Sequence, residues 1–138
     1  MTDGLIKHGF ILTFLALFMG FAIPQAESPR LALSAHTIGL LSGILLLAVA
    51  GIWQRLRLSE RPVRVTYRGW VCSGYANWAG ILFGAMVGTG RLTPLASGGA
   101  TGAELPEMLV GFLLMSLSLA ALIAAGLAIW ARFASPKN

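Results

Sequence analysis

The chain has 138 residues, 57% of them hydrophobic and only 11% charged, with a formal net charge of +5. Soluble domains carry roughly 25% charged residues, so this composition excludes an ordinary water-soluble enzyme and predicts a membrane protein. The length predicts one domain, 1–138, in which any chemistry has to sit among helices or in their short connections.

Crossing a hydrocarbon core of about 30 Å takes roughly 20 apolar residues. Four runs meet that requirement, at 8–25, 31–53, 69–90 and 108–130. The first follows Lys7 and begins at His8-Gly9. It has the length of a signal-peptide core, but Pro24 stands at minus three of the one plausible cleavage point, before Glu27, so it reads as a retained helix. The second run follows Pro29-Arg30 and carries His36 about five residues inside the apolar stretch from Leu31 to Trp53. An ionisable side chain at that depth costs about 2 to 4 kcal/mol or more unless something binds it, which makes His36 a site hypothesis by default.

The connection from Gln54 to Arg68 holds Arg55, Arg57, Arg61, Arg64 and Arg68 against Glu60 alone. Positive residues stay cytoplasmic. Four spans put Lys7, Arg132 and Lys137 on that same side and Glu27, Glu104 and Glu107 outside. The expectation is an all-α integral membrane protein, a four-transmembrane-helix bundle with N and C termini cytoplasmic, in a bacterial-type inner membrane. That topology, with some contact to anionic lipid in the bilayer, accounts for the net charge without a nucleic-acid partner.

The third run is the polar one, with Ser73, Tyr75, Asn77 and Trp78 between Trp70 and Ile81. Ser73 and Asn77 are four apart and share a helix face. An amide near mid-membrane must find a partner. Two readings stand: an interhelical hydrogen bond from Asn77, with Ser42 at similar depth, or a polar wall that orients a small substrate. Cys72 in this run is expected to be a small buried apolar residue. Among the glycines, Gly39 and Gly43, Gly80 and Gly84, and Gly84 and Gly88 form small-xxx-small pairs, which let backbones approach closely in lipid. Gly39 and Gly43 also follow His36 on its own face, so they serve either helix packing or a flat cofactor lying beside the imidazole. No cysteine pair or Cys/His cluster at zinc spacing, no glycine-rich phosphate loop and no Ser-His-acid set is present in the sequence.

His8 starts the first helix at the cytoplasmic edge, whereas His36 lies about 8 Å below the opposite edge at 1.5 Å per residue. Roughly 20 Å apart along the membrane normal, the two cannot share one iron within a subunit. His8 reads as an interfacial residue.

The run Pro29-Arg30-Leu31-Ala32-Leu33-Ser34-Ala35-His36, its small-residue helix, and Gly74-Tyr75-Ala76-Asn77-Trp78 on the third run resemble hydroxylaminobenzene mutase. More distantly the chain is similar to styrene oxide isomerase, through His8-Gly9, Ala35-His36 and Ala76-Asn77. The resemblance implies a homotrimer in which haem b, held by the histidine matching His36, is a Lewis acid for a small aromatic substrate. It implies a mutase converting an aryl hydroxylamine to the ortho-aminophenol. His36 would be the metal ligand, with Gly39, Gly43 and Arg30, the last toward a propionate, around the cofactor; Asn77, Ser42, Ser73 and Tyr75 would surround the substrate. Tyr75, Trp78 and Phe83 are aromatic faces able to stabilise a cation or to serve as ordinary packing. The isomerase pattern has an asparagine where this chain has Ser42, a tyrosine at Ile81 and an acid at Ser73, which turns the expectation from an aryl epoxide toward the hydroxylamine. The contrasting reading is a non-enzymatic membrane subunit, in which His36 only hydrogen-bonds across helices.

Overall fold

The computed structural model describes residues 1–133; Lys137, which entered the charge argument, lies outside the described residues. Four long helices dominate: α1 (Thr2–Met19), α2 (Pro29–Ile52), α3 (Glu60–Val87) and, after the single turn α4 (Pro94–Ser97), α5 (Glu104–Trp130). Among the described residues, three segments are long and apolar enough to cross a membrane: Thr2–Gln25, Pro29–Arg55 and Glu104–Trp130. Helix α3 has the length but not the hydropathy. It begins at Glu60 rather than near residue 69, so Arg61, Arg64 and Arg68 are wound into its first turns beside the later Ser73, Tyr75 and Asn77.

Local chemistry sets the helix ends. Pro29 occupies the first turn of α2, where its missing N–H costs nothing. Helix α3 stops at Gly88, whose φ of 70° is the left-handed conformation that closes a helix, and Thr89 N–H bonds the carbonyl of Gly84 at 2.9 Å. Gly88 is thus a helix terminus, not the packing residue expected from its spacing to Gly84. Helix α1 tightens at Gly20 into a 3-10 segment, Gly20–Gln25, that contains Pro24.

The helices pack in sequence: α1 on α2, α2 on α3, and α3 on α5. Glycines mark the closest approaches. A Cβ on Gly43 would meet Thr13 and the backbone of Gly9, and one on Gly39 would lie 2.6 Å from both Ala16 Cβ and Trp78 Cδ1. Gly80 faces Leu113 and Leu114, and Gly69 faces Ala124, along the α3–α5 contact. One apolar cluster, around Leu5, Leu12, Leu46, Val49 and Trp53, lies toward the arginine-rich end, and another, around Met19, Leu31, Ala35, Ile81 and Ala85, toward the opposite end. Helix α5 buries only Glu107, Val110 and Ala124 and leaves Leu109, Phe112, Met115, Leu119 and Leu122 more than half exposed.

Two features tie the ends together. At the arginine-rich end β1 (Leu56–Arg57) pairs antiparallel with β2 (Arg132–Phe133), joining the α2–α3 connection to the residues after α5. At the other end Ser28 N–H bonds the carbonyl of Ala85 at 3.0 Å. Cys72 is exposed on the outer side of α3, contrary to expectation, because Ser73 and Gly74 take the inward positions of that turn.

Candidate active site

His36 sits in the third turn of α2, half-buried against the end of α1. Its Nδ1 lies 2.7 Å from the carbonyl oxygen of Ala16. Because α1 tightens at Gly20, the cap N–H there turns to the carbonyls of Leu17 and Phe18 and leaves that of Ala16 without its helical partner. A carbonyl only accepts, so Nδ1 carries a proton and donates it; in the neutral ring the lone pair is then on Nε2. That nitrogen has no hydrogen-bond partner among the described residues. A histidine that donates one ring N–H to a backbone carbonyl and offers the other nitrogen is the usual form of a metal-ligating imidazole. Gly20 lies flush against the ring, since a Cβ there would come 3.3 Å from Cε1 and Nδ1.

Ser42 of α2 and Ser73 and Asn77 of α3 line one cavity of about 160 Å³ between α2, α3 and α5. Leu45, Leu46, Leu117 and Ala121 give it apolar walls, and Trp70, Gly74 and Ser118 complete them. Ser73 donates to the carbonyl of Trp70 at 3.2 Å. The side chains of Asn77, Ser42 and Ser118 make no hydrogen bond among the described residues, so neither an Asn77–Ser42 bond nor any other internal contact uses up the amide. Those donors and acceptors are free for a molecule in the cavity.

The remaining expected residues lie elsewhere. Tyr75 does not line the cavity; its hydroxyl is 3.3 Å from His8 Nδ1 and 3.4 Å from the carbonyl oxygen of His8, and the two rings meet edge-on. Gly39 and Gly43 are covered by α1 and by Trp78, and so occupy the helix-packing role within the subunit. Arg30 is exposed at the start of α2, where its guanidinium lies near Gly98. Phe83 is exposed. Nor does His36 line the cavity: Ser42 is about 120° around α2 from it at 100° per residue, and the contact of Gly39 with Trp78 occupies the face between them.

Sequence reading missed Ser118 and Leu117, which sit on a helix with no polar stripe to draw attention. It also missed Glu107, counted only as an external charge. Glu107 is buried and its carboxylate gathers three backbone N–H groups of the α3–α5 connection: Gly90 and Gly102, each 2.9 Å from Oε1, and Arg91, 3.1 Å from Oε2. Among the described residues no three of His, Cys, Asp and Glu gather into a metal-binding group.

The chain is similar to hydroxylaminobenzene mutase HabB of Ectopseudomonas oleovorans, 38% identical over 97% of this chain and 82% of that protein. It is 33% identical to hydroxylaminobenzene mutase HabA of the same organism, over 85% of this chain and 87% of that protein. No solved structure matches it. The family model described as styrene oxide isomerase spans residues 1–133, and on this match and those identities the chain belongs to the styrene oxide isomerase family.

Proposed function

We propose that this chain is a membrane-bound isomerase that rearranges a single-ring aryl hydroxylamine to the ortho-aminophenol in the cavity lined by Ser42, Ser73 and Asn77. The cavity carries the reading. An apolar space of about 150 Å³ holds one benzene ring, and this one, at 160 Å³, adds an amide and hydroxyls with unspent hydrogen bonds. The substrate named for the two mutase relatives has one ring and one polar head, which is what such a cavity recognises.

The rearrangement exchanges no electrons with a second reactant. The N–O bond breaks, a C–O bond forms at the ortho carbon, and the ring proton lost there is regained at nitrogen. Asn77 and Ser42 hold the hydroxylamine head by hydrogen bonds and keep its oxygen on the ortho side of the ring. Leu45, Leu46, Leu117 and Ala121 exclude water that would otherwise capture the positively charged ring. Trp70 is the aromatic side chain in the cavity lining available to that charge.

The free Nε2 of His36 would hold the iron of haem b, and the group would supply Lewis-acid chemistry. The separation of His36 from the cavity within one subunit supports a homotrimer in which neighbouring copies share the cofactor, since a heterologous contact between unlike faces forms a ring where its rotation closes. We further propose four spans with both termini cytoplasmic and an inner-membrane location. The α3 arginines and the polar face of α3, turned to the cavity rather than to lipid, support it. An aryl epoxide is the second substrate class, supported by the family match. Against it, Ile81 is buried in the Met19–Leu31–Ala85 cluster where the isomerase pattern has a tyrosine.

The test is conversion of phenylhydroxylamine to 2-aminophenol by the protein purified in mild detergent, with the visible spectrum recorded on the same sample. Conversion together with a Soret band stoichiometric with the chain is the expected result. A folded protein that converts neither this substrate nor styrene oxide overturns the proposal.

A further inference from the structure

Beside the cavity runs a second depression on the outside of α5, lined by Leu92, Leu114, Met115 and Ser118. Ser118 belongs to both. It is exposed, carries a small side chain, and stands where the outer groove meets the inner space. Ser118 is thus the wall common to the groove and the cavity, one turn of α5 on from Leu114 and Met115. Its mouth is apolar: Met115 is 68% and Leu92 49% exposed.

The far rim of this mouth is a loop residue, yet it is fixed. Glu107 holds the N–H groups of Gly90 and Arg91, which sets Leu92 against α5 at Gly111, where an added Cβ would lie 3.3 Å from Leu92 Cδ1. On the opposite side the cavity is sealed by the helix core, with Leu46 fully buried and Gly74 packed toward Leu12. A single-ring arene partitions into hydrocarbon, so its path to a membrane cavity starts in lipid.

We propose that this groove is the route by which the aromatic substrate enters from the lipid, passing between Leu92 and Met115 and turning inward at Ser118. The proposal rests on the cavity being the substrate site. The ring slides over Leu114 and Met115, and the polar head meets the Ser118 hydroxyl first and Asn77 last. Width at Met115 then sets which ring substituents are admitted.

The test compares Met115→Trp with Ile129→Trp in the full chain. Met115 lines the groove but not the cavity; Ile129, 84% exposed, is on the same helix about 21 Å farther along at 1.5 Å per residue. Trp is tolerated at lipid-facing positions. For phenylhydroxylamine, Met115→Trp is expected to lower kcat/KM about tenfold with kcat within threefold of the parent, and to lower it further for the 4-methyl analogue, whereas Ile129→Trp changes neither. Unchanged kinetics in both variants, or an equal loss in both, overturns the route. If the parent chain converts no aryl hydroxylamine, it is the proposed function that fails, and the route is then read without turnover. In a Cys72→Ser chain, phenol is expected to slow maleimide labelling of Met115→Cys and not of Ile129→Cys; equal labelling with and without phenol overturns it.

Discussion

Replacing Glu107 should loosen the whole connection between α3 and α5. Its carboxylate, on a residue only 6% exposed, accepts from Gly90 and Gly102 through one oxygen and from Arg91 chiefly through the other. In Glu107→Ala all three donors lose their acceptor. The bond to Gly90 is buried and carries the full penalty of an unmet donor, about 1 to 3 kcal/mol; those to Arg91 and Gly102 are half-buried and recover part of the loss by bonding water. The sum is roughly 2 to 4 kcal/mol. Glu107→Gln keeps one carbonyl oxygen able to serve Gly90 and Gly102, but presents an NH₂ donor to Arg91 N–H and removes the charge, a cost of about 1 to 2 kcal/mol.

Amide hydrogen exchange reads these energies residue by residue. At tenfold per 1.4 kcal/mol, the alanine variant should exchange Gly90 and Gly102 roughly 30 to 700 times faster than the parent, with the glutamine variant in between. Helix α1, whose packing is on α2, the following 3-10 segment and α3, should be unchanged. Parent-like exchange in both variants, or equal acceleration in Ala and Gln, would refute the carboxylate clamp.

Three further outcomes are expected. His36→Ala should lose the Soret band and activity together while still inserting, since no apolar span is shortened; retained pigment with normal turnover would remove the ligand assignment, read from the spectrum and membrane fraction. Asn77→Ala should keep the pigment and lower kcat about 10- to 100-fold, because an amide that positions the reacting head is lost; parent-like kcat with an altered oligomer in size-exclusion chromatography would assign it to packing. Tyr75→Phe should retain kcat within about threefold and cost roughly 0.5 to 1.5 kcal/mol of stability in a detergent melt, since its hydroxyl bonds His8 and not the cavity.

The sequence made the long helices legible because hydrophobic length is a one-dimensional property, and α2 begins and ends within two residues of the expected run. Helix α3 was read short because its first turns are charged, and charge argues against a membrane run while saying nothing against a helix. The convergence of Ser42, Ser73 and Asn77 was half legible: the spacing of Ser73 and Asn77 predicts a shared face, and depth predicts that Ser42 lies level with them. What stood on the other side was not. Leu117 and Ser118 enter the cavity only because α5 crosses there, and the Gly69–Ala124 and Gly80–Leu113 contacts that set the crossing are a property of two surfaces together. Glu107 was hidden for a related reason, since its partners are backbone groups of Gly90, Arg91 and Gly102, and backbone donors leave no mark on residue identity.

The placement of His36 follows the same logic at the level of a single hydrogen bond. Buried without a partner, an imidazole costs more than it returns, and a helix-interior carbonyl already accepts from the N–H four residues on, with one lone pair left over. Helix α1 releases the carbonyl of Ala16 from that bond by tightening at Gly20, a residue with no side chain to keep His36 away. The carbonyl of Ala16 then fixes the tautomer, and the ring is held with Nε2 uncommitted. A structural histidine that merely stitched two helices would gain most by bonding at both nitrogens. This one bonds at one, among the described residues, and Nε2 is the nitrogen left for the ligand role proposed above.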